Sequence, residues 1–347
     1  MIETEQERKV PAMKIYGTIG PACSEENIMH QMFVEGMTGF RLNLSHTSLN
    51  AAEDQINTMH RAAQKAGIKP DLLIDMQGPE LRIGGGYAPK LLMEGTKVVL
   101  SSGYGNHIPV SKQILEVLEP GQDILLDDGR ILCRVTKASP ERANVEVIRG
   151  GILRPRKSIA LPGVSLSLPV LTELDRENIA VAKDYGVTGI MQPFVRDAED
   201  LKAVQKEIAA VGAGDLRILA KIENQTGLDN MEELIPYADE IVIARGDLGN
   251  TIDLWEVPAA QKDIADLCQE AGRDFMVVTQ MLTSMEHAPV PTRAEVSDIF
   301  NAVLDGASSV MVTGETAIGE YPVEVIHALV SAVHAAERYL EDLDMEE

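Results

Sequence analysis

The strongest chemical signal in the chain lies in the segment Ala220–Asn224 and in the turn that follows the next apolar run. Lys221 and Glu223 are two residues apart, so on an extended strand they share one face. A Lys and a Glu that both point inward need partners, because a lone buried charge is costly. Asp247, in Gly246-Asp247-Leu248-Gly249, supplies a second carboxylate. Glu223 and Asp247 together suit Mg²⁺ (or Mn²⁺), which takes one or two carboxylates and completes its octahedron with water and substrate oxygens. Lys221 then becomes a cationic stabiliser beside the metal. Taken alone, Lys221 and Glu223 also read as a structural ion pair, and Asp247 as a helix N-cap. The glycines around Asp247 expose backbone N–H groups at a helix start, which suits a carboxylate or a phosphate.

Other polar residues close apolar runs elsewhere. Arg41 and Arg82 offer forked contacts to phosphate. Asn43, Ser45 and Asp75 are oxygen donors near one another in this scheme; they either hold a hard monovalent cation or satisfy each other. His46 alone carries no argument beyond a structural one.

These residues matter only if the chain gathers them at one place. Short runs rich in Ile, Val, Leu and Met alternate with helical patterns, which favours parallel βα units buried on both faces. The runs are Lys14–Gly17, Gly39–Leu44, Asp71–Asp75, Gly189–Phe194, Arg217–Ile222, Glu240–Ala244, Phe275–Thr279 and Ser309–Thr313. A helix is predicted from Ser24, as N-cap, to near Gly36, and a last one from about Val323 to Leu343. Eight such units close a (β/α)₈ TIM barrel, whose chemistry collects at the C-terminal ends of the strands. Between about Arg82 and Pro162 the text changes to short, turn-punctuated β segments, including Thr96–Leu100, Asp123–Leu126, Gly129–Val135 and Ala143–Ile148. The expected α/β organisation is therefore barrel over 1–82, an all-β lid domain inserted after the third strand over 83–160, and barrel again over 161–347.

Lys and Arg number 31 against 54 Asp and Glu, a net charge of −23. Such a chain is not expected to grip nucleic acid or an anionic membrane, and an anionic substrate needs a local cation. Cys23, Cys133 and Cys268 have no metal-binding or redox spacing, which fits a reduced, cytoplasmic protein. No apolar signal segment opens the sequence and no apolar stretch is long enough to cross a bilayer.

With these residues in hand, the sequence resembles the pyruvate kinase family. The matching segments are Thr18-Ile19-Gly20-Pro21-Ala22, RLNLSH at Arg41–His46, GPELR at Gly78–Arg82, DDG at Asp127–Gly129, LPG at Leu161–Gly163 and AKIEN at Ala220–Asn224. They continue with ARGDLG at Ala244–Gly249, TQML at Thr279–Leu282, PTRAEVSD at Pro291–Asp298 and GETAIGEYPVE at Gly314–Glu324, in family order along nearly the whole chain. The resemblance implies phosphoryl transfer from phosphoenolpyruvate to ADP, giving pyruvate and ATP in glycolysis. It implies Glu223 and Asp247 as Mg²⁺ ligands and Lys221 as the stabiliser of the transferring phosphoryl group and the enolate. It places Thr279 on the face where the enolate is protonated and Ala244, Gly246 and Asp247 at the substrate carboxylate. Arg41 falls on the phosphate and nucleotide, with Arg82 also on the substrate. Asn43, Ser45, Asp75 and the carbonyl of Met76 match a K⁺ site, with Glu80 the acid typical of K⁺-dependent members. His46 and Lys157 match nucleotide contacts, and the β insertion matches a mobile lid.

The sequence also departs from the family. Met76-Gln77 stands where Thr-Lys is usual, Gln192-Pro193 where Ala-Ser is common before Phe-Val-Arg, and Ala160 where Asn usually precedes LPG. The chain ends soon after the last barrel helix, so no C-terminal effector domain and no response to a sugar-phosphate effector are expected. A homo-oligomer through the barrel, such as a dimer, remains expected, with Arg293 at that interface. Two other readings are a metal-dependent enolate enzyme that does not use ADP, against which Asp127, Asp128 and Lys157 argue, and a non-catalytic binding protein, against which intact Lys221, Glu223, Asp247 and Thr279 argue.

Overall fold

The eight apolar runs become eight parallel strands: β1 Lys14–Thr18, β2 Gly39–Asn43, β3 Asp71–Asp75, β4 Gly189–Gln192, β5 Arg217–Ile222, β6 Glu240–Ala244, β7 Asp274–Val278 and β8 Ser309–Met311. The computed structural model describes residues 13–345 apart from 46, 104, 106, 128 and 165–167. Each strand pairs with its neighbours in sequence, and β8 pairs with β1, so the sheet closes as a (β/α)₈ barrel. Inward-facing Tyr16, Leu73, Met191, Leu219, Val242, Met276 and Met311 fill the lumen as one apolar cluster. Alternate residues of the same strands pack outward against helices, which explains why the runs lack a polar face.

Where strands end is decided by local chemistry. β4 stops at Gln192 because Pro193 has no N–H to donate and Phe194 turns to φ +53°. β7 stops at Val278, one residue short of expectation, because Thr279 and Gln280 adopt φ +78° and +58°. After β2, the side-chain carbonyl of Asn43 accepts the Ser45 N–H at 2.9 Å and turns the chain. The first helix covers Glu26–Val34. Ser24 does not cap it; its hydroxyl donates to the Pro21 carbonyl at 3.1 Å. The last helix covers Pro322–Asp344 and buries Val325, Ile326, Leu329, Val333 and Ala336 along one stripe.

Between β3 and β4 the chain leaves the barrel and builds a β-domain with its own apolar cluster, including Leu100, Ile124, Leu126, Val135 and Val145. Its six-stranded sheet runs Ile159–Ala160, Asp123–Leu126, Ile131–Ser139, Arg142–Arg149, Lys97–Ser101, Ile108–Pro109 in spatial order. A second, two-stranded sheet pairs Lys90–Leu92 with Gly151–Leu153. A short helix, Lys112–Val117, capped by the Ser111 hydroxyl, accompanies them. The outgoing and returning segments run side by side: Ile83 N–H donates to the Lys157 carbonyl and Ile159 N–H to the Leu81 carbonyl, at 2.9 and 3.0 Å.

Candidate active site

At the C-terminal mouth of the barrel, four charged side chains from three strands meet in a buried chain of contacts. Arg41 donates to Asp75 through Nη2 at 2.5 Å and Nε at 2.9 Å. Lys221 Nζ lies 3.1 and 3.2 Å from the two oxygens of the same carboxylate and 2.8 Å from Glu223 Oε1. Register explains the meeting. Arg41 and Asp75 project into the lumen from neighbouring strands, and the period of two puts Lys221 and Glu223 on the same inner face.

The network is close to neutral internally. Glu223 is fully buried. Its Oε2 accepts the Phe194 N–H at 2.9 Å. Its Oε1 lies 2.8 Å from the Lys221 ammonium. Burial raises the Glu223 carboxyl above its ordinary range; Lys221 pulls it back and Asp247 and Asp75 push it up further. Burial alone would pull the Lys221 ammonium down, but Asp75 and Glu223 more than offset this and hold it raised. Lys221 is therefore a permanent cation here and not a base.

Asp247 lies in the one-turn helix Arg245–Leu248 that follows β6, with Ala244 at the N-cap position. It is thus not the N-cap that the bare sequence allows. Glu223 and Asp247 line a single cleft of about 320 Å³ between barrel and β-domain, along with Glu80, Leu161, Phe194 and Thr251. A buried carboxylate lining a cleft with a second carboxylate is a donor set that Mg²⁺ accepts. No group of three or more His, Cys, Asp or Glu is placed to hold a metal among the described residues, so a cation here would take its other ligands from water and substrate.

Thr279 sits across from Gly246. A Cβ on Gly246 would fall 2.7 Å from Thr279 Cγ2, so the close approach requires glycine. The left-handed backbone of Thr279 is rare for a β-branched residue. Arg245 holds it, donating to the Thr279 carbonyl from Nε at 3.2 Å and Nη2 at 2.8 Å while Nη1 pairs with Asp298 at 2.7 Å. After β8, Glu315 accepts the Leu282 and Thr313 N–H groups at 3.2 and 2.7 Å and so ties the β7 and β8 loops together. The sequence reading assigned no role to Arg245, Asp298, Glu315 or Phe194. Their only signal was membership of the quoted segments.

Other residues singled out from the sequence fall as follows. Asn43 is the register partner of Asp75, and Ser45 is held by Asn43. Both Asp75 oxygens are already shared with Arg41 and Lys221, so a monovalent cation would have to join that network. Met76 is buried beside Asp75, its N–H donating to the Met191 carbonyl at 3.1 Å. Arg82 is turned to Glu80, at 2.7 Å, and to the Arg156 carbonyl, at 3.0 Å, at the crossing into the β-domain. Lys157 pairs with Asp127 at 2.7 Å within the β-domain. The domain reaches back to the barrel where a Cβ on Gly129 would lie 2.4 Å from Asn250 Oδ1. His46 lies outside the described residues.

The sequence model described as pyruvate kinase, barrel domain, matches residues 10–326. The chain belongs to the pyruvate kinase family. It is 38% identical over 324 residues to a pyruvate kinase of Sporosarcina psychrophila, covering 91% of this chain and 55% of that protein. It is 37% identical over 340 residues to one from Geobacillus stearothermophilus, covering 96% and 58%. To one from the archaeon Aeropyrum pernix it is 36% identical over 315 residues, covering 90% and 68%. The chain thus spans little more than half the length of the first two relatives. Family membership accounts for the barrel with a β-domain inserted after β3. No helix among the described residues is long and apolar enough to cross a membrane.

Proposed function

We propose that the chain transfers a phosphoryl group between phosphoenolpyruvate and ADP, forming pyruvate and ATP. The observation that carries this reading is the fully buried Glu223, ion-paired to protonated Lys221 and lining the cleft it shares with Asp247. When bound by Glu223 and Asp247, Mg²⁺ or Mn²⁺ supplies charge neutralisation and alignment for the phosphoryl oxygens.

The remaining work falls to the chain. Phosphoryl transfer needs placement and charge compensation more than covalent help. Lys221, kept cationic by its carboxylate neighbours, faces the developing charge on the phosphoryl group and then the enolate oxygen. Arg41, fixed by Asp75, offers its guanidinium to phosphate and nucleotide, with Lys157 and His46 on the nucleotide side. The backbone at Ala244, Gly246 and Asp247 receives the substrate carboxylate, and Thr279 faces the carbon that gains a proton. Arg82 acts at the substrate side only as the β-domain closes. The oxygens of Asn43, Ser45 and Asp75 and the Met76 carbonyl would hold K⁺. The β-domain excludes water and so limits hydrolysis. A homo-oligomer through the barrel, such as a dimer, and a cytoplasmic setting complete the reading.

The test is formation of pyruvate and ATP from phosphoenolpyruvate and ADP, with and without Mg²⁺ and with K⁺ replaced by Na⁺. Turnover that needs Mg²⁺ and ADP is expected, with a higher rate in K⁺. Folded protein without turnover under every condition refutes the activity, and equal rates without K⁺ refute the monovalent site alone.

A further inference from the structure

Three residues at which this sequence departs from its family, Gln77, Gln192 and Pro193, meet at one place: the base of the inserted β-domain. The Gln192 side chain is fully buried and donates from Nε2 to the carbonyls of Val170, at 3.1 Å, and Pro193, at 3.3 Å. Val170 belongs to the segment by which the chain returns to the barrel. Pro193 abuts the outgoing segment, since a Cβ on Gly78 would lie 2.5 Å from Pro193 Cγ. Gln77 accepts a hydrogen bond from the Thr172 hydroxyl at 3.4 Å, which joins the outgoing and returning segments directly.

A buried carboxylate closes this arrangement. Asp175 accepts the Gln77 N–H at 2.9 Å, the Gly78 N–H at 3.0 Å and the Thr172 N–H at 2.8 Å. It has no exposed surface. One side chain thus clasps both crossings to the β-domain. Next in sequence to Gln192 and Pro193, the Phe194 N–H donates to Glu223 at 2.9 Å from a left-handed backbone position. Such a conformation persists only where surrounding contacts over-determine it. Here those contacts are the hinge on one side and Glu223 on the other. Gln192 Oε1 is left buried without a donor, so the side chain is held by what its amide nitrogen binds.

We propose that the turn Gln192–Phe194 couples the base of the β-domain to Glu223, with Asp175 and Gln192 as positioning residues, so that a shift of the hinge segments moves the carboxylate that faces the cleft. The consequence for turnover rests on the activity proposed above; the mechanical coupling does not.

Amide hydrogen exchange of the full chain tests the coupling without any ligand. Asp175→Asn keeps the shape but weakens the clasp by about one hydrogen bond. Exchange in peptides covering 76–83 and 168–175 should rise roughly fivefold. The peptide covering 190–196, which Asp175 does not contact through any hydrogen bond given above, should rise with them. Faster hinge exchange with no change at 190–196 overturns the coupling, and no change at the hinge overturns the clasp. If Asp175→Asn does not fold, the double variant Gln192→Ala/Pro193→Ser, which restores the dipeptide common in the family, serves instead. It should loosen 76–83 and 168–175 by a similar factor, and unchanged exchange there refutes the proposal. In turnover, either variant should raise the Mg²⁺ concentration for half-activation roughly tenfold, as for residues that orient a metal ligand. A role confined to structure lowers thermal stability and leaves that midpoint alone. If the wild-type chain turns over nothing, the exchange data still decide the coupling.

Discussion

Replacing Arg245 by Met should cost both stability and catalysis. The guanidinium is nearly buried and makes two hydrogen bonds to the Thr279 carbonyl and one to Asp298. Hydrogen bonds from a charged donor are worth about 1.5–3 kcal/mol in such settings. Against this loss stands the backbone of Thr279 at φ +78°, a conformation that costs about 1–3 kcal/mol and that Arg245 helps to impose. Relief of that strain offsets only part of the loss of three such bonds, so unfolding free energy should fall by roughly 2–6 kcal/mol. The Asp298 carboxylate left behind is about one-third exposed and can be hydrated. Catalysis has no such compensation. Once Thr279 relaxes, its hydroxyl leaves the mouth of the site, and misplacement by about 1 Å typically costs roughly 100-fold in rate. Steady-state pyruvate formation and denaturant unfolding of Arg245→Met decide the matter. A kcat within twofold of wild type would show that Thr279 holds its conformation unaided, and the argument would fail. A stability loss below about 1 kcal/mol would mean that the Arg245 hydrogen bonds contribute little to the fold.

Further outcomes follow from the same geometry. Lys221→Met should lower turnover by roughly 10²–10³-fold while Mn²⁺ binding, read by its electron paramagnetic resonance, stays measurable. That variant should also be destabilised by about 3–5 kcal/mol, because buried Glu223 loses its ion-pair partner, and divalent cation should restore part of this in unfolding curves. Gly246→Ala should drive a methyl into Thr279 and cost about 1–3 kcal/mol, with a lower kcat; a neutral result would mean that Thr279 yields freely. For Glu295, burial raises the carboxyl, but hydrogen bonds from Ser284 and Thr292 outweigh it and leave the pKa below the ordinary 4.5. A carboxyl lowered on folding stabilises above the unfolded value and loses that contribution as pH falls through the folded one. Glu295→Gln should therefore lower stability at neutral pH, with the gap to wild type closing in acid well below pH 4.5; a gap that persists there contradicts the assignment.

How much was legible in the sequence differs between the strands and their ends. Apolar runs buried on both faces have one reading, and all eight became barrel strands. Where they stop is set by single residues whose conformation depends on partners far along the chain. Thr279 can be left-handed because Arg245 holds its carbonyl, and nothing in the sequence of β7 near Thr279 says so. The period of two made Lys221 and Glu223 visible as an inward pair. Arg41 and Asp75 were read separately, as a phosphate contact and a cation ligand, because register between strands cannot be read from either one. The structure joins them at 2.5 Å. Asp175 was invisible for a similar reason. Three of its hydrogen bonds reach N–H groups, two of them nearly a hundred positions away in sequence.

The barrel carries a second charged cluster at its other mouth, and the contrast locates function more firmly than either cluster alone. There Lys14 and Arg217 surround Asp71, at 2.6 and 3.3 Å; Tyr16 donates to Asp71 at 2.9 Å, and Ser309 to Glu240 at 2.5 Å. Positive and negative charges are matched and the carboxylates have donors. Such a cluster needs nothing from outside the chain, which is what a structural plug under an apolar lumen requires. The upper cluster uses the same residue types but places Glu223 in a cleft beside a further carboxylate, Asp247, and is framed by Phe194, Thr279 and Gln280 in left-handed conformations. The two other non-glycine residues with positive φ among those described, Asp127 and Arg156, lie in the β-domain. Local rules are thus broken on the side where the cleft opens and kept on the side where it does not. A chain optimised for stability alone would satisfy both ends alike, and departures of this kind gather where structure has been given over to binding and chemistry.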